Sequence, residues 1–132
     1  MICLDSSFII DFLKNDKSAV KIYEKYINEE FYISEITIFE VATGFLYSEY
    51  KFKKSNFDLL IDFISDFQIL STLNLYYLEA ARINASLIFQ GKTIEPNDCI
   101  IAGTMIANNV KKIITKNKKH FSKIKGIEVL SY

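Results

Sequence analysis

Three acidic residues lie within apolar segments of the chain, where charge is unusual. Asp5 follows the run Met1-Ile-Cys-Leu, Glu40 interrupts the apolar segment 36–42, and Asp98 precedes Cys-Ile-Ile-Ala-Gly. A carboxylate among core-forming residues costs free energy unless it is paired or bound to a cation. A divalent cation can compensate several carboxylates at once. The three acids therefore suggest one metal site.

Each acid also has a purely structural explanation. Glu40 could form a capping box with Thr37, Asp98 could favour the positive end of a helix opened by Pro96, and Asp5 could be a turn residue or cap at a strand end. Taken singly, these explanations are simpler than a metal role. Taken together, the acids favour a shared site, because one crevice would account for all three.

The remaining composition limits the kind of metal. The sequence has one histidine, His120, and two cysteines, Cys3 and Cys99, so it offers no conventional Cys/His zinc cluster. Oxygen ligands select magnesium or manganese. Two cysteines also make no disulfide framework, and we expect both to be reduced.

The net charge of zero hides an uneven distribution. Residues 111–127 contain seven lysines and no acid, whereas the first 110 residues carry 9 basic and 15 acidic side chains. An acidic body beside a basic segment could hold cations in one place and a polyanion next to it. A solvated lysine surface is the alternative explanation.

Hydrophobic periodicity predicts the elements that must position these residues. Strands alternate with helices, which indicates a parallel sheet with helices on both faces and a ligand crevice beyond the carboxyl ends of the strands. Asp5 and Thr115 stand at two such ends. Asn74 is predicted to cap one helix, and Pro96 to open another. The predicted strands are 1–4, 31–34, 68–71, 112–115 and 127–130, and the predicted helices start at Ser6 or Ser7 and cover 18–28, 37–50, 56–67, 74–90 and 96–109.

Length and hydropathy bound the organisation of the chain. Its 132 residues, half of them hydrophobic, suit a single domain spanning 1–132. Apolar runs such as 99–107 are shorter than the roughly 20 residues of a membrane span. No basic leader precedes an apolar stretch, so we expect no signal peptide, no membrane contact and a cytoplasmic location.

Four blocks of sequence carry the candidate residues. They are Asp5-Ser-Ser-Phe-Ile-Ile-Asp-Phe-Leu, Ser34-Glu-Ile-Thr-Ile-Phe-Glu-Val-Ala-Thr-Gly, Pro96-Asn-Asp-Cys-Ile-Ile-Ala-Gly and Ile114-Thr-Lys-Asn-Lys-Lys-His-Phe. In this order, and over almost the whole chain, they resemble the PIN-domain ribonucleases and, more narrowly, VapC-type toxins of toxin–antitoxin pairs. The resemblance implies a three-layer α/β/α PIN-like domain with a central, mainly parallel sheet of about five short strands.

The resemblance also implies an activity. The expected function is a metal-dependent endoribonuclease that hydrolyses RNA phosphodiester bonds, with Asp5, Glu40 and Asp98 binding one or two Mg²⁺ or Mn²⁺ ions. Asn117 occupies the place where many members have a fourth acid, so the number of ions stays open. Asp11 and Glu95 are nearby acids that could contribute from outside the metal-binding set.

Further residues of these blocks have expected supporting roles. Ser6 or Ser7 could orient water or a ligand, and Thr115 and Asn117 belong to the last block. Lys116, Lys118 and Lys119 adjoin that block and could bind the RNA backbone without reading sequence. His120 could contact phosphate, although a lone histidine beside Phe121 is more often a packing residue. The resemblance further implies a homodimer and an antitoxin that wraps a groove near the site, which exposed tyrosines would suit; the candidates are Tyr47, Tyr50, Tyr76 and Tyr77.

Two other enzyme classes fit the residues less well. A receiver-like phosphorylation domain needs an aspartate after the third strand, where this chain has Ser71-Thr72. A phosphatase with an Asp-x-Asp nucleophile needs a second acid where Ser7 stands. A non-catalytic PIN-like module that binds RNA or protein remains the alternative, and Asn117 motivates it.

Overall fold

Five short parallel strands form the sheet in the computed structural model, which describes residues 1–52 and 57–132. The strands are β1 Ile2–Leu4, β2 Phe31–Ser34, β3 Gln68–Leu70, β4 Lys112–Ile114 and β5 Glu128–Leu130. Their order in the sheet is β3-β2-β1-β4-β5, so the first strand lies in the centre. All four strand pairs are parallel, which confirms the predicted sheet.

Helices cover both faces of the sheet, because successive strand residues point to opposite sides. The helices within the described residues are α1 Ser6–Leu13, α2 Lys17–Lys25, α3 Glu35–Phe52, α4 Phe57–Ser65, α5 Tyr76–Phe89, α6 Pro96–Ala107 and α7 Lys118–Phe121. Ile2 and Leu4 belong to one buried cluster with residues of α1 to α4, whereas Cys3 belongs to a second cluster with residues of α5 to α7. This is the predicted α/β/α arrangement.

Two helix starts differ from their predictions by two residues, and a third is not tested. Helix α3 begins at Glu35, two residues early, because the Ser34 hydroxyl accepts the Thr37 amide at 3.0 Å and caps the helix itself. Helix α5 begins at Tyr76 without a side-chain cap, so the predicted Asn74 cap is wrong. The predicted start of α4 at Asn56 lies outside the described residues. Helix α7, with only four residues, was not predicted.

No helix in the described part of the chain is long and apolar enough to cross a membrane.

Helix α6, which carries Asp98, packs closely on α5 at Gly103. A methyl group at Gly103 would lie 2.7 Å from the backbone nitrogen of Ala80 and 2.9 Å from its Cα. Both atoms are backbone, so the two helices would have to move apart. We predict that Gly103→Ala lowers the free energy of unfolding by about 1–3 kcal/mol in chemical denaturation.

Gly44 on α3 offers the matched control for this substitution. A methyl group there meets nothing within 4 Å. Gly44→Ala should therefore leave stability unchanged or raise it by up to about 1 kcal/mol, because alanine favours the helix. Equal stability of the two alanine variants would contradict the close approach at Gly103.

Candidate functional site

The site lies at the carboxyl edge of the sheet, beyond the ends of the central strand β1 and its neighbour β4. Strand β1 pairs with β2 on one side and with β4 on the other, so the connections leave in opposite directions at this point. Such a switch point opens a crevice in doubly wound sheets. Asp5 follows β1 and Thr115 follows β4, and the Thr115 hydroxyl donates to Asp5 Oδ2 at 2.7 Å. The two predicted strand ends therefore meet.

Asp5 is buried and serves as the N-cap of α1. Its Oδ2 accepts hydrogen bonds from the Ser7 hydroxyl at 2.6 Å and from the Ser7 amide at 3.4 Å, besides the bond from Thr115. The capping explanation for Asp5 is therefore correct. It does not exclude a second role, because all three bonds reach the same oxygen and Oδ1 receives none of them.

Asp98 lies in the first turn of α6, where Pro96 occupies a first-turn position as predicted. Its side chain is buried, and its Oδ2 accepts from His120 Nδ1 at 2.6 Å and from Asn117 Nδ2 at 3.1 Å. Burial raises the pKa of Asp98, and the negative charge of Asp5 raises it further, while the hydrogen bond from His120 opposes the shift. Keeping the Asp98 carboxylate ionised therefore costs free energy in the folded protein.

Glu40 reaches the same place from the second turn of α3. Since Ser34 caps that helix, the capping-box explanation for Glu40 is wrong. Burial raises its pKa, and the charges of Asp5 and Asp98 add to the effect. Asn97 Nδ2 donates to Glu40 Oε1 at 3.1 Å, and a hydrogen bond from Ser6 likewise favours the ionised form.

One cavity of about 380 Å³ joins these three acids. It brings together the start of α1, with its N-cap Asp5, residues of α3 and α6 and the segment after β4, which are far apart in sequence. Most of the polar residues predicted from sequence for this site line it. The lining residues are Asp5, Ser6, Ser7, Glu40, Glu95, Pro96, Asn97, Asp98 and Asn117.

The raised pKa of Glu40 predicts a stability effect in the metal-free protein. The folded state holds the Glu40 proton more tightly than the unfolded chain, so ionisation costs stability as pH rises above the ordinary glutamate pKa of 4.5. We expect metal-free Glu40→Gln, which can still accept from Asn97, to melt a few degrees above wild type at pH 7. The advantage should vanish below pH 4.5, and a constant difference across pH in calorimetry with EDTA would contradict this account.

The donor set suits a hard cation. Oδ1 of Asp5 and Oδ1 of Asp98 receive none of the hydrogen bonds described above, which leaves an oxygen of each carboxylate for a ligand. Among the described residues, no group of three or more His, Cys, Asp or Glu side chains stands ready to enclose a metal ion. Mg²⁺ does not need such a cage, because it usually keeps several waters and takes one or two carboxylates.

The other sequence candidates divide between the cavity and its surroundings. Glu95 lines the cavity, whereas Asp11 is bonded to Lys116 and Tyr132. The Lys116 ammonium lies 2.6 Å from Asp11 Oδ2, and the side chains of Lys118 and Lys119 are exposed.

His120 is the functional candidate that sequence reasoning undervalued. Its ring contacts Asp98 and also lies 2.9 Å from Asn117 Nδ2. The spacing of Asn117 and His120 was the available signal, since residues three apart share one side of a helical turn. Asn117 is the N-cap of α7 and His120 lies within it, but a helix of four residues was too short to predict.

A family model described as the PIN domain matches residues 2–127. The chain belongs to the PIN domain family. A comparison with curated proteins gave no match.

Solved structures similar to this PIN domain include three toxin–antitoxin complexes. VapBC2 from Rickettsia felis, bound to a DNA fragment from its promoter, has 25% identity and a TM-score of 0.85 over 100% of this chain and 99% of the other. DNA-bound VapBC from Salmonella typhimurium has 25% identity and a TM-score of 0.79, covering 98% and 96%. VapBC-1 from nontypeable Haemophilus influenzae has 26% identity and a TM-score of 0.75, covering 99% and 98%. The predicted PIN-like fold of the VapC type is confirmed.

Proposed function

We propose that this PIN domain is a metal-dependent endoribonuclease that hydrolyses RNA phosphodiester bonds and acts as the toxin of a type II toxin–antitoxin pair. The observation that carries the proposal is the single cavity lined by Asp5, Glu40 and Asp98. Three acids from three elements have no structural need to share one cavity, and two of them have a raised pKa. Perturbed carboxylates in a cleft are typical of functional sites.

One or two Mg²⁺ or Mn²⁺ ions would be held by Asp5, Glu40 and Asp98. When bound, such an ion supplies an activated water and stabilises charge on phosphate oxygens. Around it, the hydrogen bonds from Ser7, Thr115 and His120 orient the Asp5 and Asp98 carboxylates through their Oδ2 atoms. Such orientation of ligands by neighbouring groups is usual at metal centres. Ser6, which bonds Glu40, does the same for the third acid.

The RNA backbone would be bound by lysines beside this cavity. Lys118 and Lys119 are exposed, and in sequence they directly follow Asn117, which lines the cavity. Contacts of this kind bind phosphate and carry no sequence information. Lys116 is the third lysine that the sequence predicts to bind the RNA backbone, and its ammonium lies 2.6 Å from Asp11 Oδ2. We expect the protein to act in the cytoplasm, where its RNA substrate would be found.

An RNA cleavage assay tests the proposed activity. Purified protein is incubated with a mixture of structured and unstructured RNA in Mn²⁺ or in EDTA, beside Asp5→Asn and the control Asp62→Asn, which changes an exposed acid on α4. We expect Mn²⁺-dependent cleavage by wild type and by the control only. Cleavage that persists in EDTA or in Asp5→Asn would contradict the mechanism.

The alternative is a PIN-like module that binds RNA or protein without efficient cleavage. Asn117 favours it, because the residue at the place of a fourth acid donates a hydrogen bond to Asp98 and adds no charge. The absence of cleavage of any RNA in that assay would support this alternative.

The proposed antitoxin partner has a candidate docking groove. An apolar cavity of about 250 Å³ lies between α1, α3 and α4, and the solved complexes similar to this chain pair a toxin with an antitoxin. We propose that an apolar segment of the antitoxin occupies it. The groove is lined by Ile10, Leu13, Lys14, Gly44, Phe45, Ser48 and Leu59.

Gly44 allows a clean test of this groove, because a side chain added there meets open space. Gly44→Trp should fill the groove and abolish co-purification with the product of a small neighbouring reading frame, whereas Gly44→Ala should retain it. Capture by both variants, or by neither, would contradict docking at this groove.

We also propose a homodimer through the exposed aromatic surface of α3. Tyr50 is 85% exposed, and Phe39 and Tyr47 lie on the same helix with most of their surface in solvent. Exposed aromatic clusters are typical of interfaces. Light scattering should give a dimer mass for wild type and a monomer mass for Tyr50→Glu; equal masses would contradict this interface.

A further inference from the structure

Helix α1 contacts Lys116, which lies in the segment after β4, at both its main chain and its side chain. The Lys116 amide donates to Ser7 Oγ at 3.1 Å, and the Lys116 ammonium lies 2.6 Å from Asp11 Oδ2. Ser7 and Asp11 are four residues apart on α1, so they lie on the same side of the helix. The main chain and the side chain of Lys116 are thus held by one face of α1.

Tyr132 completes this ion pair. Its hydroxyl donates to the same Asp11 oxygen at 2.9 Å, and its ring centroid lies 5.5 Å from Lys116 Nζ. The ring also packs edge-on against the buried Phe8, with centroids 5.8 Å apart. The hydrogen bond from Lys116 lowers the pKa of Asp11, and the same bond raises the pKa of Lys116. Both partners therefore favour their charged forms.

The neighbours of Lys116 on either side contact the proposed metal ligands. Thr115 Oγ1 donates to Asp5 Oδ2 at 2.7 Å and accepts the Asn117 amide at 2.8 Å. Asn117 Nδ2 donates to Asp98 Oδ2 at 3.1 Å. A displacement of Lys116 would consequently move a hydrogen-bond donor of each acid.

We infer that Asp11 is a positioning residue of this site, acting through Lys116 to hold Thr115 against Asp5 and Asn117 against Asp98. The inference rests on the proposed nuclease function. It gives Lys116 a role different from the RNA contact predicted from the sequence, because the Lys116 ammonium is engaged by Asp11. We refer to Asp11, Lys116 and Tyr132 as the clamp.

The two roles for Lys116 predict opposite effects of Asp11→Asn. If Lys116 binds RNA, its release from Asp11 should lower KM, and Lys116→Gln should raise it. If the clamp positions the site, both substitutions should lower kcat by about tenfold, the scale of lost outer contacts at metal centres, and leave KM nearly unchanged. The clamp also predicts that the double variant is no worse than either single variant, since both break one interaction.

The experiment measures kcat and KM for wild type, the two single variants and the double variant on one RNA substrate in Mn²⁺. Lys116→Arg, which keeps the ion pair, should restore kcat. Asp16→Asn serves as the control, because it removes a nearby charge that acts on Lys116 while asparagine can still cap α2. A fall in KM for Asp11→Asn, or additive losses in the double variant, would overturn the inference.

A second readout separates the clamp from the nuclease activity. The side-chain amide resonances of Asn117, assigned by their loss in Asn117→Ser, report its contact with Asp98 without requiring cleavage. Both Asp11→Asn and Lys116→Gln should shift them, although Asp11 does not touch Asn117, and Asp16→Asn should not. If the two variants shift these resonances and the wild-type protein cleaves no RNA, the clamp is supported and the proposed function is refuted. Unshifted resonances in both variants would refute the clamp.

Discussion

Replacing Asp98 by asparagine is expected to lower the rate of Mn²⁺-dependent RNA cleavage by at least about a hundredfold, the scale of losing one electrostatic contact to a transition state. Asparagine has almost the same shape, so the substitution removes charge while preserving the packing around α6. The loss should therefore appear in kcat, measured under saturating RNA.

The same variant should lose most of its stabilisation by metal. An ion that binds only the folded state raises the melting temperature, and the shift grows with the logarithm of the ion concentration relative to its Kd. Millimolar Mn²⁺ should raise the melting temperature of wild type and of Asp62→Asn clearly more than that of Asp98→Asn. Equal shifts in all three proteins would show that Asp98 does not contribute to a metal site.

Replacing Phe121 by alanine is expected to lower the free energy of unfolding by about 3–5 kcal/mol. Phe121 is fully buried in the core cluster on the α5 to α7 face of the sheet, where it anchors the four-residue helix α7. A helix this short has little stability of its own and depends on tertiary packing. The measurement is urea denaturation of the metal-free protein.

Phe121→Leu is the matched variant, since it keeps most of the apolar volume and should cost only about 1 kcal/mol. His120 lies beside Phe121 and contacts Asp98, so the alanine variant should also disturb the site. A loss below about 1 kcal/mol for Phe121→Ala would mean that α7 is held in place by other contacts.

The sequence predicted the sheet well because its strands are apolar and its helices periodic. Asp5 and Thr115 could be placed at the same edge from topology alone, since parallel strands end on one side of the sheet. The family resemblance then selected Asp5, Glu40 and Asp98 as a set. The cavity that all three line agrees with that selection, and their metal role stays a prediction.

Predictions of helix caps from the local sequence were wrong for two helices. Thr37 and Glu40 form an acceptable capping box in the sequence, but Ser34 stands closer to the end of β2 and caps α3 instead. Glu40 is therefore not needed to cap α3. Asn74 likewise had the right chemistry for a cap, yet α5 begins two residues later.

Side-chain contacts across long sequence separations could not be predicted. The bond between His120 and Asp98 and the clamp between Lys116 and Asp11 depend on where α7 and the segment after β4 lie against α6 and α1. Nothing in the local sequence distinguishes Lys116 from Lys118 or Lys119. Only the fold shows that one of these lysines is paired with an acid.

The most direct test of the proposed metal centre is anomalous diffraction from crystals soaked in MnCl₂. The account predicts an anomalous peak inside the cavity, within about 2.0–2.3 Å of carboxylate oxygens of Asp5 and Asp98, and no such peak in Asp98→Asn crystals. An empty cavity at a saturating Mn²⁺ concentration, or the same peak in wild type and Asp98→Asn, would contradict it.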